Sequence, residues 1–250
     1  MKKLTTFIAI LLISPCIFAQ SESDESNENR KRRNLGTNHS INFDLGINNI
    51  LEDGVSPQEN NSPYAIKPFG SWNFAINSVN NTHIVGSLHL QWGGSVSWYN
   101  FKFEDASTRI NKLDDQIEFI EDPRSDINTI KSKLTSTYLN ITVVPMLDFS
   151  NDKHKHKWSW HHHKQEGFRI GVGAYAGYKI DSHSKAVYEI EGDRRRDKNK
   201  DSYFLNTWRY GARLQAGYRD VDIFVNYDVS ELFSENKGPQ LNAFSFGIII

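Results

Sequence analysis

The residues best suited to chemistry lie in one short segment. Residues 153–164 carry five histidines and two tryptophans: His154, His156, His161, His162, His163, Trp158 and Trp160. Imidazole suits zinc, copper and nickel, so loose metal binding is one interpretation. No cysteine or carboxylate lies within residues 153–164, and the lysines between the histidines repel cations. A solvated turn with tryptophans at a membrane interface is favoured, and the sequence predicts no catalytic, cofactor-binding or metal residues.

Seven charged residues fall on the polar side of alternating segments, and all but one lie in the second half of the chain. They are Asp44, Arg169, Lys179, Arg209, Arg213, Asp222 and Asp228. Buried charges must be paired or solvated. The interior of a small barrel is just filled by side chains. The pattern therefore predicts a plugged, ion-paired core, and a narrow ion path is the alternative.

Two polar segments offer further candidates. In residues 102–133, Ile110, Leu113, Ile117 and Ile120 are spaced partly as on a helix face, which indicates either a short amphipathic helix over the barrel mouth or an irregular loop. No histidine or serine there has a recognisable catalytic spacing. Residues 192–201 are basic with acidic interruptions. Their arginines could bind lipopolysaccharide phosphates, whereas the simpler interpretation is a mobile, solvated loop.

Most of the remaining chain alternates between apolar and polar residues. Ile41, Phe43, Leu45 and Ile47 are the first such stripe, and similar stripes follow at 72–76, 88–98, 139–143, 168–180, 208–218, 221–227 and 244–250. Strict alternation indicates strands with one apolar face. Eight is the smallest even number of strands known for closed outer-membrane barrels. The predicted fold is all-β, an eight-stranded antiparallel up-and-down transmembrane β-barrel.

The direction of the two faces separates this barrel from a soluble one. A lipocalin-like barrel would hold its apolar residues inside, and alternation alone does not show which face is which. The face that bears arginine and aspartate indicates that the polar residues lie inside. Long spacers at 102–133 and 181–202, and a tight turn near Arg219, predict long outer loops and short periplasmic turns. The spacer at 151–167 departs from this rule by being long on the periplasmic side.

The beginning of the chain indicates export. Lys2 and Lys3 precede an apolar run that ends at Ala19, which is typical of a secretory signal peptide. Cys16 is the only cysteine, and Pro15 before it fits a lipoprotein poorly. The predicted domains are a signal peptide (1–19), a flexible charged leader (20–38) and an outer-membrane barrel (39–250). The 29 basic against 30 acidic residues argue against a nucleic-acid partner.

Several segments of the chain resemble a known family. They are GSWNF at 70–74, LQWGGSVSWYNF at 90–101, the stretch 133–145, YDVSELF at 227–233, KGP at 237–239 and FSFGI at 244–248. Together they resemble the PorT-like outer-membrane β-barrel domain proteins of Bacteroidota-type bacteria. The resemblance implies fold and location, and little about mechanism. The final apolar strand also resembles the signal read by barrel-insertion machinery, although it ends in Ile250.

These observations predict a non-enzymatic outer-membrane protein with a structural or interaction role. Its expected partners are outer-membrane lipids and, during biogenesis, the insertion machinery. Two alternatives stay open: an accessory component of outer-membrane transport or secretion, and a barrel enzyme acting on lipids. No cofactor is expected.

Overall fold

A computed structural model describes residues 36–57, 62–124, 127–149, 167–219 and 221–250 of the 250-residue chain. The predicted signal peptide, almost all of the leader and the five clustered histidines lie outside these ranges. The strands are β1 (Thr37–Leu51), β2 (Trp72–Val85), β3 (Leu88–Lys102), β4 (Thr108–Lys112), β5 (Ile117–Glu121), β6 (Asn128–Asp148), β7 (Phe168–Ile190), β8 (Asp193–Lys200), β9 (Trp208–Tyr218), β10 (Val221–Glu231) and β11 (Asn242–Ile249). A 3₁₀ turn, Pro68–Gly70, precedes β2. No helix in the described ranges is long and apolar enough to cross a membrane.

Eight of these strands form a closed ring. Their order is β6-β3-β2-β1-β11-β10-β9-β7, and pairing between β6 and β7 completes the circle. Every neighbouring pair in the ring is antiparallel. Closure leaves no strand edge unpaired in the barrel wall. The predicted eight-stranded antiparallel barrel is confirmed, and β1 begins at Thr37, two residues before the expected boundary.

The apolar stripes face outward. Ile141 in β6 is 66% exposed and Val172 in β7 is 64% exposed, whereas Arg209 and Asp228 are less than 10% exposed. Successive side chains of a strand point to opposite faces, so the same alternation that exposes the apolar residues turns the charged ones into the lumen. This is the orientation expected of a membrane barrel and the reverse of a lipocalin-like one.

Two expectations about the connecting segments were wrong. Residues 108–121 form a β-hairpin, β4–β5, in which Thr108 pairs with Glu121 and Lys112 with Ile117, instead of a helix or an irregular loop. The basic segment forms strand β8, paired along β7, instead of a mobile loop. Glu191 and Gly192 both have positive φ, 50° and 84°. That backbone is typical of the type I′ turns that join tight hairpins.

The two longest strands continue beyond the barrel wall. β6 has 21 residues and β7 has 23, about twice the length of β9. Their outer parts remain paired with each other, through register shifts near Thr137 and Thr129, and β8 adds a third strand. We name this three-stranded sheet, residues 128–137, 181–190 and 193–200, the β6–β7–β8 extension.

Small residues on the inner face make room for the large ones. At Gly211 in β9, an added Cβ would collide with the Tyr227 backbone carbonyl and lie 2.7 Å from the Tyr175 hydroxyl. Gly94 in β3 lies on the outward face, opposite Ile141, and there the nearest atom to an added Cβ would be the Asn140 carbonyl oxygen at 3.6 Å, which is ordinary van der Waals contact.

We therefore expect Gly211→Ala to destabilise the barrel by about 1–3 kcal/mol, since overpacking against fixed backbone is costly. The matched control, Gly94→Ala, should change the free energy of unfolding little. Urea titration of both variants, refolded into lipid vesicles, measures the difference. Equal stability of the two variants would show that the lumen has more space than the structure gives it.

Candidate functional site

One cluster of buried charges in the lumen surrounds Arg209. Its Nη2 atom lies 2.8 Å from Asp228 Oδ1 and donates to the Tyr99 hydroxyl at 2.9 Å. Tyr175 donates its hydroxyl proton to the same Asp228 oxygen. The guanidinium carbon lies 4.2 Å from the ring centroid of Tyr99 and 4.8 Å from that of Tyr138. One cation is thus held by a carboxylate, hydroxyls and aromatic faces, and all of them are buried.

A second pair lies further along the lumen. Arg213 Nη1 donates to Asp44 Oδ2 at 2.9 Å and to Asn226 Oδ1 at 3.3 Å. The other oxygen of Asp44 accepts a hydrogen bond of 2.8 Å from the Asn77 side chain. The guanidinium also lies 4.8 Å from the centroid of the Phe224 ring. Asp44 comes from β1 and Arg213 from β9, so this ion pair crosses the barrel interior.

A third pair closes the series at the inner end. Arg169 Nε donates to Asp222 Oδ1 at 2.8 Å, and its Nη2 donates to the Arg219 carbonyl at 2.9 Å. The Asp222 side chain is 32% exposed, so this pair is partly solvated. The space that remains in this part of the lumen is a polar cavity, and the residues lining it include Asp44, Asn77, Gln91, Arg169, Arg213 and Asp222.

Six of the seven predicted inward charges therefore form three ion pairs, and Lys179 is the exception. Lys179 donates to the backbone carbonyl oxygens of Leu205 and Ser202 and so fastens the segment before β9 to the barrel. Because the three arginines are matched one to one by carboxylates, these pairs together carry no net charge, and a polar cavity remains beside them.

An apolar cap covers the end of the barrel from which the β6–β7–β8 extension projects. Sequence reasoning offered only residues 102–133 as a cover for the barrel mouth and missed the other connections. It is built from the connections between β1 and β2, β3 and β6, β8 and β9, and β10 and β11, together with the adjoining ends of the strands. Its buried residues are Ile50, Ile66, Tyr99, Phe101, Phe103, Ile117, Leu134, Tyr138, Tyr203, Leu205, Leu232, Phe233, Leu241 and Ala243. Isolated bridges join Ile66 to Phe103 and Leu205 to Phe233.

The β4–β5 hairpin is bound into this cap by both its apolar and its polar residues. Ile117 is buried, and Phe119 contacts the rings of Phe103 and Phe233. The signal for this hairpin was the alternation Ile117, Glu118, Phe119, which has the period of a strand. The helical spacing of Ile110, Leu113 and Ile117 masked it, and Leu113 is in fact exposed.

A buried carboxylate fixes the end of the hairpin. Asp122 lies 2.9 Å from Arg109 Nη2 and 2.8 Å from Arg124 Nη2. Hydrogen bonds from Arg124, opposed by burial and aided by the charge of Arg109, lower the pKa of Asp122 to about 2. Arg124 in turn lies 4.3 Å from the ring centroid of Tyr188 on β7. The cap is therefore tied to the inward face of the β6–β7–β8 extension.

No group of three histidine, cysteine, aspartate or glutamate side chains within the described ranges could hold a metal ion. The histidines at 154–163 lie outside those ranges, so the interpretation of that segment stays a prediction.

The fold defines the class of protein as a closed, eight-stranded antiparallel barrel with an ion-paired lumen. No protein-family model matches the chain, and no curated protein matches it. Two solved structures of Ail, the attachment invasion locus protein of Yersinia pestis, are similar. The first has a TM-score of 0.32 and 14% identity over 86% of this chain and 99% of Ail. The second is Ail in complex with the heparin analogue sucrose octasulfate, with a TM-score of 0.29 and 13% identity over 85% and 97%. We draw no functional conclusion from likenesses of this size, and membership of the PorT-like family stays a prediction.

Proposed function

We propose that this chain is a non-enzymatic protein of a bacterial outer membrane, with a structural or interaction role at the cell surface. The observation that carries the proposal is the outward apolar belt on a closed barrel whose three lumen arginines pair with aspartates inside. In water such a belt would be a large exposed apolar surface, which soluble monomers avoid. In a bilayer it is the surface that contacts lipid.

The dimensions of the belt support a membrane location. β9 has 11 residues, which at a rise of about 3.3 Å and a tilt of about 40° gives a height of roughly 25–30 Å. Trp208 begins this strand and Tyr218 ends it, and both are more than half exposed. Tryptophan and tyrosine are enriched at both membrane–water interfaces.

The connections indicate which end faces outward. Gly86 and Ser87 alone join β2 to β3, and two residues separate β9 from β10. The opposite end carries the β4–β5 hairpin, the β6–β7–β8 extension and the apolar cap. Outer-membrane barrels have short periplasmic turns and long outer loops, so we place the capped end outside.

The filled lumen favours an interaction role over conduction. Three ion pairs occupy the interior and an apolar cap covers its outer end, so the described residues leave the outer surface as the region available to partners. An accessory role in transport or secretion is the second candidate, and a barrel enzyme acting on lipids is the third. The β11 strand would serve as the signal for the insertion machinery during assembly.

The proposal is tested by fractionation and by conductance. We expect the protein in the outer-membrane fraction, with different gel mobility before and after heating, and no steady current when it is inserted into planar bilayers. Recovery from the soluble periplasm would refute the membrane location, and a steady open channel would refute the structural or interaction role. Release of fatty acid from lipid vesicles by the purified barrel would favour the enzyme, and co-purification of a transport complex would favour the accessory role.

A further inference from the structure

The outward face of the β6–β7–β8 extension is strongly basic. Seven cationic side chains lie on it: Lys131, Lys133, Lys185, Arg194, Arg196, Lys198 and Lys200. They share one face because residues directly opposite in a sheet point the same way. The register places Lys133 opposite Lys185 and Lys185 opposite Lys198. We call these three residues the lysine ladder.

Such a ladder is unfavourable without a counter-charge. Like charges directly opposite in a sheet destabilise it, and the pairing of adjacent strands brings these ammonium groups close together. Burial, and then the charges of Lys131, Lys185 and Lys198, lower the pKa of Lys133 to about 8. Burial and the neighbouring cations also lower the pKa of Lys185. Both lysines lie beyond the apolar belt, on the outer parts of their strands.

The chain itself supplies little compensation on this face. In the described part of the chain, no ion pair involves any lysine of the ladder, although Lys200 lies 3.6 Å from Asp181. Glu189 is the other carboxylate on this face, and it is opposite Arg194 in the register. The inward face of the same sheet differs, because Tyr188 contacts Arg124 there and Ser184 bonds to Tyr203 at 2.7 Å. The unmatched charge is therefore confined to the side that faces away from the barrel axis.

The position of the ladder indicates what could neutralise it. Lys133 Nζ donates to the Asn100 side chain and lies 5.9 Å from the ring centroid of Trp72. Trp72 is 46% exposed on the outward face of β2, at the outer end of the apolar belt. The ladder thus begins where lipid acyl chains would end, which is the level of the lipid headgroups.

We propose that the outward face of the β6–β7–β8 extension binds the phosphate groups of an anionic glycolipid in the outer leaflet around the barrel. This inference rests on the proposed outer-membrane location. Several phosphates carried by one lipid match a row of cations better than a single free anion, and arginine forks such as Arg194 and Arg196 suit phosphate oxygens. The acyl chains of the same lipid would contact the apolar belt below.

The test compares two double variants of the full chain, purified in detergent and titrated with bisphosphorylated lipid A by native mass spectrometry. Lys185→Gln/Lys198→Gln removes two charges from the ladder. Arg195→Gln/Arg219→Gln removes two charges elsewhere, since Arg195 is on the opposite face of β8 and Arg219 follows β9. We expect the ladder variant to bind about tenfold more weakly or worse, which is the loss of one or more charge-assisted contacts. The control variant should bind like the native protein.

Two further arms identify the source of the phosphate. Dephosphorylated lipid A should bind the native protein and the ladder variant equally and weakly, and inorganic phosphate alone should not compete with lipid A. Equal binding of lipid A by the native protein and the ladder variant would overturn the proposal. Binding of dephosphorylated lipid A as tight as that of lipid A, or full competition by inorganic phosphate, would overturn it as well. Heat-dependent mobility of each variant is measured in parallel, so a failed barrel is distinguished from a failed lipid site.

Discussion

Asp228→Ala is expected to cost the barrel about 3–5 kcal/mol of unfolding free energy, because it leaves a buried arginine unpaired. Arg209 would keep its contacts with Tyr99 and Tyr138 but lose the carboxylate 2.8 Å away. Tyr175 would lose its acceptor as well. Urea titration of protein refolded into vesicles gives the free energy, and loss of heat-modifiable barrel gives a second readout.

The control for this prediction is the partly solvated pair at the inner end. Asp222→Ala removes the partner of Arg169, but the Asp222 side chain is 32% exposed, so water can replace the lost contact. We expect a loss of about 1 kcal/mol there, in the range of exposed pairs. A double variant, Arg209→Met/Asp228→Leu, should recover much of the stability, since apolar groups of similar volume can replace a buried pair. Equal losses at Asp228 and Asp222 would contradict the burial gradient along the lumen.

Ile141→Arg is expected to cost about 2–4 kcal/mol, the penalty for arginine at the middle of the lipid-facing surface of a barrel. Ile141 is 66% exposed and lies in the part of β6 that pairs with both β3 and β7. The measurement is the yield of heat-modifiable barrel in outer membranes and the unfolding free energy in vesicles.

The same substitution at Asn111 provides the control. Asn111 is exposed on β4, in the hairpin of the cap, and Glu118 lies opposite it. Arginine there should be tolerated. If Asn111→Arg and Ile141→Arg assemble equally well, the belt would not contact lipid, and the membrane location would be wrong.

The barrel wall could be predicted from the sequence because each wall strand has one apolar and one polar face. Apolar residues therefore alternate along these strands, so Ile41 to Ile47 and Trp208 to Tyr218 show their strands directly. The same alternation placed Asp44, Arg209, Arg213 and Asp228 on the lumen side, where they pair. Ion pairing itself was predicted, but which arginine meets which aspartate could not be, since that depends on the relative register of the strands.

The parts beyond the barrel wall follow no such alternation, and there the predictions failed. β8 is polar on both faces, with all eight residues exposed, so its sequence carries no alternation. The lysine ladder arises only from the pairing of β6, β7 and β8, which depends on register shifts near Thr129 and Thr137. The apolar cap is drawn from four separate connections, and of these the β4–β5 hairpin alone shows a strand alternation, at Ile117, Glu118 and Phe119.

Closure of the ring also sets the order in which the barrel can form. The final seam joins β1 to β11, with Leu45 opposite Ile248, a separation of roughly two hundred residues, and contacts so distant in sequence form slowly because the loop entropy must be lost first. Before that seam forms, both β1 and β11 would expose one unpaired edge. A nascent chain therefore needs an assembly factor that keeps these edges from pairing with other strands until β1 and β11 meet.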